Sequence, residues 1–251
     1  MNASAVVTWD GLSAEALAAH CGVARLELFG ETDSTLDVAH ILAEQGAPSG
    51  TVVLADSQRA GRGRMGRVWS SEASRGVWCS VIERAVNSSA LDVLSVRVGI
   101  EVAERLDRLV RETVGVKWPN DLVLGLAKLG GILVEARWSG SSLAWVAIGV
   151  GVNVERPLSQ SLAAGMPKGV ARSDVLAAIV QGARAAACKM GHLSPEELER
   201  FWSRDALRGK RIVEPVAGTV SGIAASGALV VETKKGTERL RTGTIRLAEG
   251  A

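Results

Sequence analysis

No run of apolar residues in this chain approaches the roughly 18 that a membrane-spanning helix needs, so no membrane partner is expected. Met1-Asn2-Ala3-Ser4 opens without a basic stretch leading into an apolar one, and no secretory leader is expected either. Cysteine is scarce and odd in number. Cys21, Cys79 and Cys188 lie far apart among apolar residues, which predicts buried free thiols and a reducing, cytoplasmic setting. Three scattered histidines and no Cys/His cluster argue against a structural zinc site. An excess of one charge is also missing: Lys and Arg number 29 against 27 Asp and Glu. The net charge of +2 gives no overall basic field, which disfavours a general nucleic-acid binder. No G-x-x-x-x-G-K-[ST] segment occurs, which excludes a P-loop. Low-complexity stretches and solenoid repeats are absent.

What is present is concentrated in one place. Gln58-Arg59-Ala60-Gly61-Arg62-Gly63-Arg64-Met65-Gly66-Arg67 interleaves arginines with glycines between two strand-like runs, Thr51–Ala55 and Val77–Ile82. The glycines let backbone fold closely around a ligand, and each guanidinium is a planar fork matched to carboxylate or phosphate oxygens. The glycine spacing spells a dinucleotide fingerprint, but that motif needs a helix to begin at the loop. Residues 67–76 are too short and broken for one, so a Rossmann site is rejected. An exposed basic turn or an RGG-like nucleic-acid contact remain readings of the loop taken alone. Its repelling arginines and free glycines predict a loop that is mobile until a ligand orders it.

At 251 residues and 47% hydrophobic, the chain fits one large domain with a small appendage. Helices are expected from Ser13, from the Asp33-Ser34-Thr35 cap, from the Ser89/Asp92 pair through Leu109, over Ser173–Met190, and from Ser194-Pro195-Glu196-Glu197. Residues 114–154 read as a meander of strands. After Asp205 short strands alternate with glycines at 209, 218, 227, 236 and 243, the texture of a small antiparallel barrel. These signals give two units, 1–204 and 205–251.

Three more segments have unusual chemistry. Lys117-Trp118-Pro119-Asn120-Asp121 joins a cation, an aromatic plate, an amide and a carboxylate at a strand end. Lys128-Leu129-Gly130-Gly131 sets a second lysine before a glycine pair, and Gly149-Val150-Gly151-Val152-Asn153 ends an apolar strand on an amide. Each alone reads equally as solvated charge, core packing or a turn.

Together and in this order, from Asp33-Ser34-Thr35 to Asn153, the motifs resemble the catalytic module of biotin–protein ligases over roughly residues 30–155. The resemblance implies an α+β fold: a mixed, largely antiparallel sheet packed with helices, followed by an SH3-like barrel. It implies a two-step reaction. Biotin's carboxylate attacks the α-phosphate of ATP, giving biotinyl-5′-adenylate and pyrophosphate, and a lysine of a biotin carboxyl carrier protein domain then takes the acyl group. Carried over residue by residue, Arg64, Lys128, Lys117 and Asp121 are the catalytic set. Ser34, Thr35, Gln58, Gly61, Arg62, Gly63, Arg64, Lys128 and Gly131 would contact biotin. Arg62, Arg64, Arg67, Trp69, Asn120, Lys128 and Asn153 would contact the nucleotide. Mg²⁺ is expected to arrive with the triphosphate rather than on protein ligands. One departure is Leu36, where such ligases commonly have asparagine. The rival readings are a lipoate-type acyl-adenylating ligase and a biotin-responsive DNA-binding regulator. The residues before Asp33, with one arginine and no lysine, are too few for a winged helix, so no DNA partner is expected. A monomer and a homodimer are equally compatible with the sequence.

Overall fold

A computed structural model describes residues 4–5, 8–125, 127–157 and 163–248; the start at Met1-Asn2-Ala3 lies outside them. In chain order the elements are β1 (Ser4–Ala5), α1 (Ala14–Cys21), β2 (Leu26–Thr32), α2 (Thr35–Glu44), β3 (Thr51–Gln58), β4 (Gly76–Glu83) and α3 (Leu91–Leu106). There follow β5 (Gly115–Lys117), β6 (Asp121–Leu124), β7 (Ala127–Ser139), β8 (Ser142–Asn153), α4 (Arg172–Ala187) and α5 (Pro195–Trp202). The chain closes with β9 (Arg211–Glu214), β10 (Gly218–Ile223), β11 (Leu229–Thr233), β12 (Gly236–Leu240) and β13 (Arg246–Leu247). No helix among the described residues is long and apolar enough to cross a membrane.

The first eight strands form one sheet in the order β1-β2-β3-β4-β8-β7-β6-β5. Only β2 and β3 pair in parallel, because α2 crosses between them; every other pairing is antiparallel. The expected mixed, largely antiparallel α+β class is what the chain adopts. Thr51–Ala55 is apolar without alternation because both sheet faces are covered. Val52 and Leu54 face the large core under α1, α3 and α4, while Val53 faces a smaller cluster under α2 with Leu36, Ala39 and Ala43. In α3, Leu94, Val98, Val102 and Leu106 are fully buried at helical spacing. Burial of each such side chain is worth about 1.5–3 kcal/mol.

Two expectations fail locally. Ser89 does not cap α3: its N-cap is Ala90, without a side-chain bond, and the helix ends at Leu106. Asn87 instead caps a preceding 3-10 turn, Ser88–Ala90, by accepting from the Ser89 amide at 2.9 Å. The capping side chain belongs wherever the chain first turns, and here that is one short turn earlier. Cys188 is also exposed, because it follows the last turn of α4, while Cys21 and Cys79 are buried. Burial pushes the Cys21 thiol up to about 12. The start at Ser194 is as read, with a reciprocal capping box between Ser194 and Glu197.

Strands β9–β13 form a separate antiparallel sheet in the order β12-β11-β10-β9-β13, compatible with an SH3-like domain. Its core side chains, among them Leu207, Ile212, Val231 and Ile245, continue the large core of the main sheet. The Trp118 indole donates to the Gly227 carbonyl at 2.8 Å, and Arg204 and Ala206 bond to the Val116 backbone.

Asp205 sits at this junction. One carboxylate oxygen accepts from the Leu207 amide at 2.9 Å, and the other is buried without a partner among the described residues. Burial pushes its carboxyl up to about 6, against the pull of the Leu207 and Arg208 backbone amides. The folded state therefore holds this proton more tightly than the unfolded chain. The favourable contribution present at low pH is lost as pH rises from about 4 through about 6. Asp205→Asn keeps the acceptor and abolishes the charge. It is expected to gain on the order of 1–3 kcal/mol at pH 8 and nothing near pH 4, measured by urea unfolding at both pH values. An equal effect at both would sink this account.

Candidate active site

The sheet topology brings chemistry-bearing residues to one end. The C-terminal ends of β2, β3 and β8 and the first residues of β4 and β7 meet there, and the β5–β6 turn lies alongside, Ile132 donating to the Asn120 carbonyl. Successive strands align Lys117, Asp121, Gly131, Gly151 and Trp78 in one register row. The β3–β4 connection carries the glycine–arginine loop over this end. Its only helical piece is a 3-10 turn at Arg64–Gly66, with Met65 left-handed at φ 57°, so the rejected crossover helix is indeed missing.

A cavity of about 230 Å³ lies beneath the loop. Its cations are Arg62, Arg64, Arg67, Lys117 and Lys128, and its sole carboxylate among the described residues is Asp121. Leu36, Trp69, Trp78, Trp118, Ile132, Leu133 and Val150 give it apolar walls. Trp69 is seated on backbone: a Cβ on Gly131 would lie 3.0 Å from its ring, and one on Gly151 would lie 2.6 Å from Nε1. Those two glycines are what let the indole lie against the sheet, edge-on to Trp78 at 6.4 Å. Leu36 covers Gly149 in the same way.

The cations differ sharply in what holds them. Lys128 Nζ pairs with Asp121 at 2.7 Å and lies 5.0 Å from the Trp69 ring centre, leaving two N–H bonds free. Arg62 is shared between Glu135 at 2.9 Å and Asp37 at 2.8 Å. Arg67 donates to the Thr244 hydroxyl. Arg64 and Lys117 have no side-chain partner among the described residues. Burial pulls the Arg64 guanidinium below its ordinary value; Asp121 opposes this and the Arg67 charge adds to it. The repulsion expected to loosen the loop is thus offset at Arg62, by two carboxylates. Hairpin bonds Gly63 N to Arg67 O and Trp69 N to Gly61 O, each 2.8 Å, close it further.

On the opposite wall, Ser34 occupies the N-cap position of α2, yet its hydroxyl makes no capping bond. Gln58 has taken that role from β3: its Oε1 accepts from the Thr35 amide at 2.8 Å and from the Thr35 hydroxyl at 3.2 Å. Its Nε2 donates to Ser71 at 2.7 Å. The Ser34 hydroxyl is left buried, lining the cavity and unpartnered among the described residues. An unpaired buried hydroxyl costs about 1–3 kcal/mol, which a ligand accepting or donating there would recover.

Of the residues singled out from sequence, Ser34, Thr35, Gln58, Arg62, Gly63, Arg64, Arg67, Trp69, Lys117, Asn120, Asp121, Lys128 and Gly131 line the cavity. Gly61 and Asn153 do not. Gly61 is packed against the Trp69 carbonyl, and Asn153 is buried with its amide donating to the Ala164 carbonyl at 3.2 Å. Asn120 lines the wall but spends its amide on the Ile132 carbonyl at 2.8 Å. Gly243, Thr244 and Ile245, from the connection between β12 and β13, complete the cavity and were missed. Nothing local marks them: Arg67, which Thr244 bonds, is 177 residues away. A second cavity of about 220 Å³ shares Arg64, Trp118, Pro119, Ile132 and Leu133 with the first and adds Arg241.

Comparison with known proteins agrees with this geometry. Residues 29–153 match the profile of the biotin/lipoate A/B protein ligase family. The bifunctional ligase/repressor BirA of Bacillus subtilis is 30% identical over 233 residues, covering 85% of this chain and 71% of that protein. The biotin–[acetyl-CoA-carboxylase] ligase of Mycobacterium tuberculosis is 35% identical over 144 residues, covering 55% and 52%. Among solved structures, the biotin protein ligase from Aquifex aeolicus in complex with biotin and ATP superposes with a TM-score of 0.73 at 24% identity, covering 90% of this chain and 99% of that one.

Proposed function

Since the chain belongs to the biotin/lipoate A/B protein ligase family, we propose that it is a biotin–protein ligase that activates biotin with ATP and passes it to a carrier-protein lysine. The observation that carries this reading is the charge of the cavity: a ring of cations with one carboxylate, over apolar walls. Such a site suits an apolar body bearing a carboxylate beside a polyphosphate. Both reactants of the first step are anions, and bringing them in line requires donors fixed in advance.

In that step a biotin carboxylate oxygen forms a bond to the α-phosphorus, the bond to the β-phosphate oxygen breaks, and pyrophosphate leaves. Arg64 and Lys117, having no side-chain partners among the described residues, are free to take the incoming oxygens. Lys128, oriented by Asp121, reaches the oxygens between carboxylate and phosphate. Ser34 meets the polar ring of biotin, while Thr35 and Gln58 hold α2 and the loop base in place. Trp69 offers its ring to the adenylate. In the second step the carrier's amine attacks the acyl carbon, the bond to the phosphate oxygen breaks, AMP leaves, and a proton is shed; Asp121 is the cavity's base for it. Mg²⁺ would accompany ATP and supply positive charge to its phosphates. Met65 and Val68, exposed on the cavity's rim, are placed to meet the carrier domain. Gly243, Thr244 and Ile245 cover one side of the site, Thr244 accepting from Arg67. Three free cysteines suit a reducing cytoplasm.

The test is exchange of labelled pyrophosphate into ATP with a panel of acids. Exchange should require biotin. Exchange with lipoate and none with biotin would overturn the substrate, and no exchange with any acid would overturn the reaction class.

A further inference from the structure

Arg62 stands at the base of the glycine–arginine loop, bridged to Val68 across the hairpin. Its guanidinium meets Glu135 in two places, Nη1 to Oε1 at 2.9 Å and Nη2 to Oε2 at 3.1 Å. A bidentate pair fixes the plane of the guanidinium as well as its position. Asp37 also accepts from it, but that carboxylate is 45% exposed against 19% for Glu135, so the Glu135 contact is the better shielded from water.

Glu135 is itself held from behind. Its Oε2 lies 2.8 Å from Nε2 of His40, a residue only 6% exposed on α2. The Trp145 indole on β8 lies 3.0 Å from His40 Nδ1. An indole N–H only donates, so Nδ1 accepts; the ring proton is then on Nε2, which donates to Glu135. Every hydrogen bond in the chain Trp145–His40–Glu135–Arg62 has a compatible polarity, and the carboxylate cannot turn without breaking contacts on both sides. Burial acts to raise the Glu135 pKa, but the His40 bond and the Arg62 charge outweigh it, leaving the carboxyl below the usual range. None of Trp145, His40 and Glu135 lines the cavity, and their hydrogen-bonded path to it runs through Arg62.

We propose that Trp145, His40 and Glu135 form a positioning relay, with Arg62 as the clasp that anchors the glycine–arginine loop and sets Arg64 over the reacting groups. Arg62, charge-compensated by two carboxylates, fastens the loop, and the gripping of anions falls to Arg64. The kinetic part rests on the ligase reading; the structural part does not.

Hydrogen exchange of the full-length, unliganded protein tests the structural part. The probes are the hairpin amides of Gly63, Arg67 and Trp69, with amides of α4 as reference. In His40→Leu and in Glu135→Gln, hairpin exchange should accelerate about ten- to a hundredfold, the loss expected from one charge-assisted bond, while α4 is unchanged. His40→Gln, whose amide can still donate toward Glu135, should recover most of the protection. In parallel, kcat for pyrophosphate exchange should fall at least about tenfold in His40→Leu and be largely restored in His40→Gln. Loop exchange equal to the parent would overturn the relay, as would acceleration spread evenly over the chain. If the loop loosens as expected but no acid supports pyrophosphate exchange in the parent protein, the relay stands and the ligase reading falls.

Discussion

Lys128→Ala is expected to slow biotin-dependent pyrophosphate exchange by about 10²–10³, the effect of deleting one preorganised donor, or roughly 3–4 kcal/mol of transition-state stabilisation. The ammonium is held at 2.7 Å by Asp121 and stands over Trp69, so its position is set before any ligand arrives. A donor fixed in advance acts on the charge that develops during the reaction, so the loss should fall mainly on kcat. Asp121→Asn should reproduce part of the loss by releasing the lysine without removing its charge. Initial rates against biotin and ATP check both variants. A Lys128→Ala protein with the parent's kcat would remove Lys128 from the mechanism.

Arg97→Ala should cost about 3–5 kcal/mol of stability, as when one partner of a buried ion pair is removed. Arg97 is 1% exposed in α3, and its Nε and Nη2 meet the two oxygens of Glu197 at 2.7 and 3.0 Å. It also donates to the His192 carbonyl at 3.0 Å. Without it, the Glu197 carboxylate stays buried with only Lys189, at 3.2 Å, to balance it. Burial works to raise the Glu197 pKa, yet the Arg97 bond, the Ser194 amide and Lys189 hold it down at about 2. A depressed folded value means the contribution is present in full above the unfolded value and is lost as pH falls toward about 2. The cost of Arg97→Ala should therefore be largest at neutral pH and shrink in acid. Urea unfolding at pH 7 and pH 3 measures both; a cost that is independent of pH would mean lost packing alone.

Much of the architecture could be read along the chain because its signals are local. The Ser194 capping box lies within one turn, the apolar steps of α3 repeat at helical spacing, and both strands flanking the arginine loop are continuous apolar runs. The Ser89 reading failed at the same scale, because Asn87 offered a competing cap a few residues earlier. The ligand-facing chemistry was equally visible: the arginine–glycine loop, Lys117 to Asp121, and Lys128 before its glycine pair all reach the cavity.

What each group bonds to there was decided only in three dimensions. Sequence by itself determined which charges the site would contain; the tertiary structure decided which of them are free. Gln58, 23 residues from Thr35, caps α2 and releases the Ser34 hydroxyl into the cavity. Glu135, 73 residues from Arg62, claims a guanidinium that by composition alone looked available to a ligand. Asn153 turns to backbone carbonyls, and Thr244 arrives from the connection between β12 and β13 to meet Arg67. Hydrogen-bonding capacity is a property of a residue type and can be read in one dimension. Its allocation is a competition among all groups within about 3 Å, and packing decides which distant parts of the chain enter that competition.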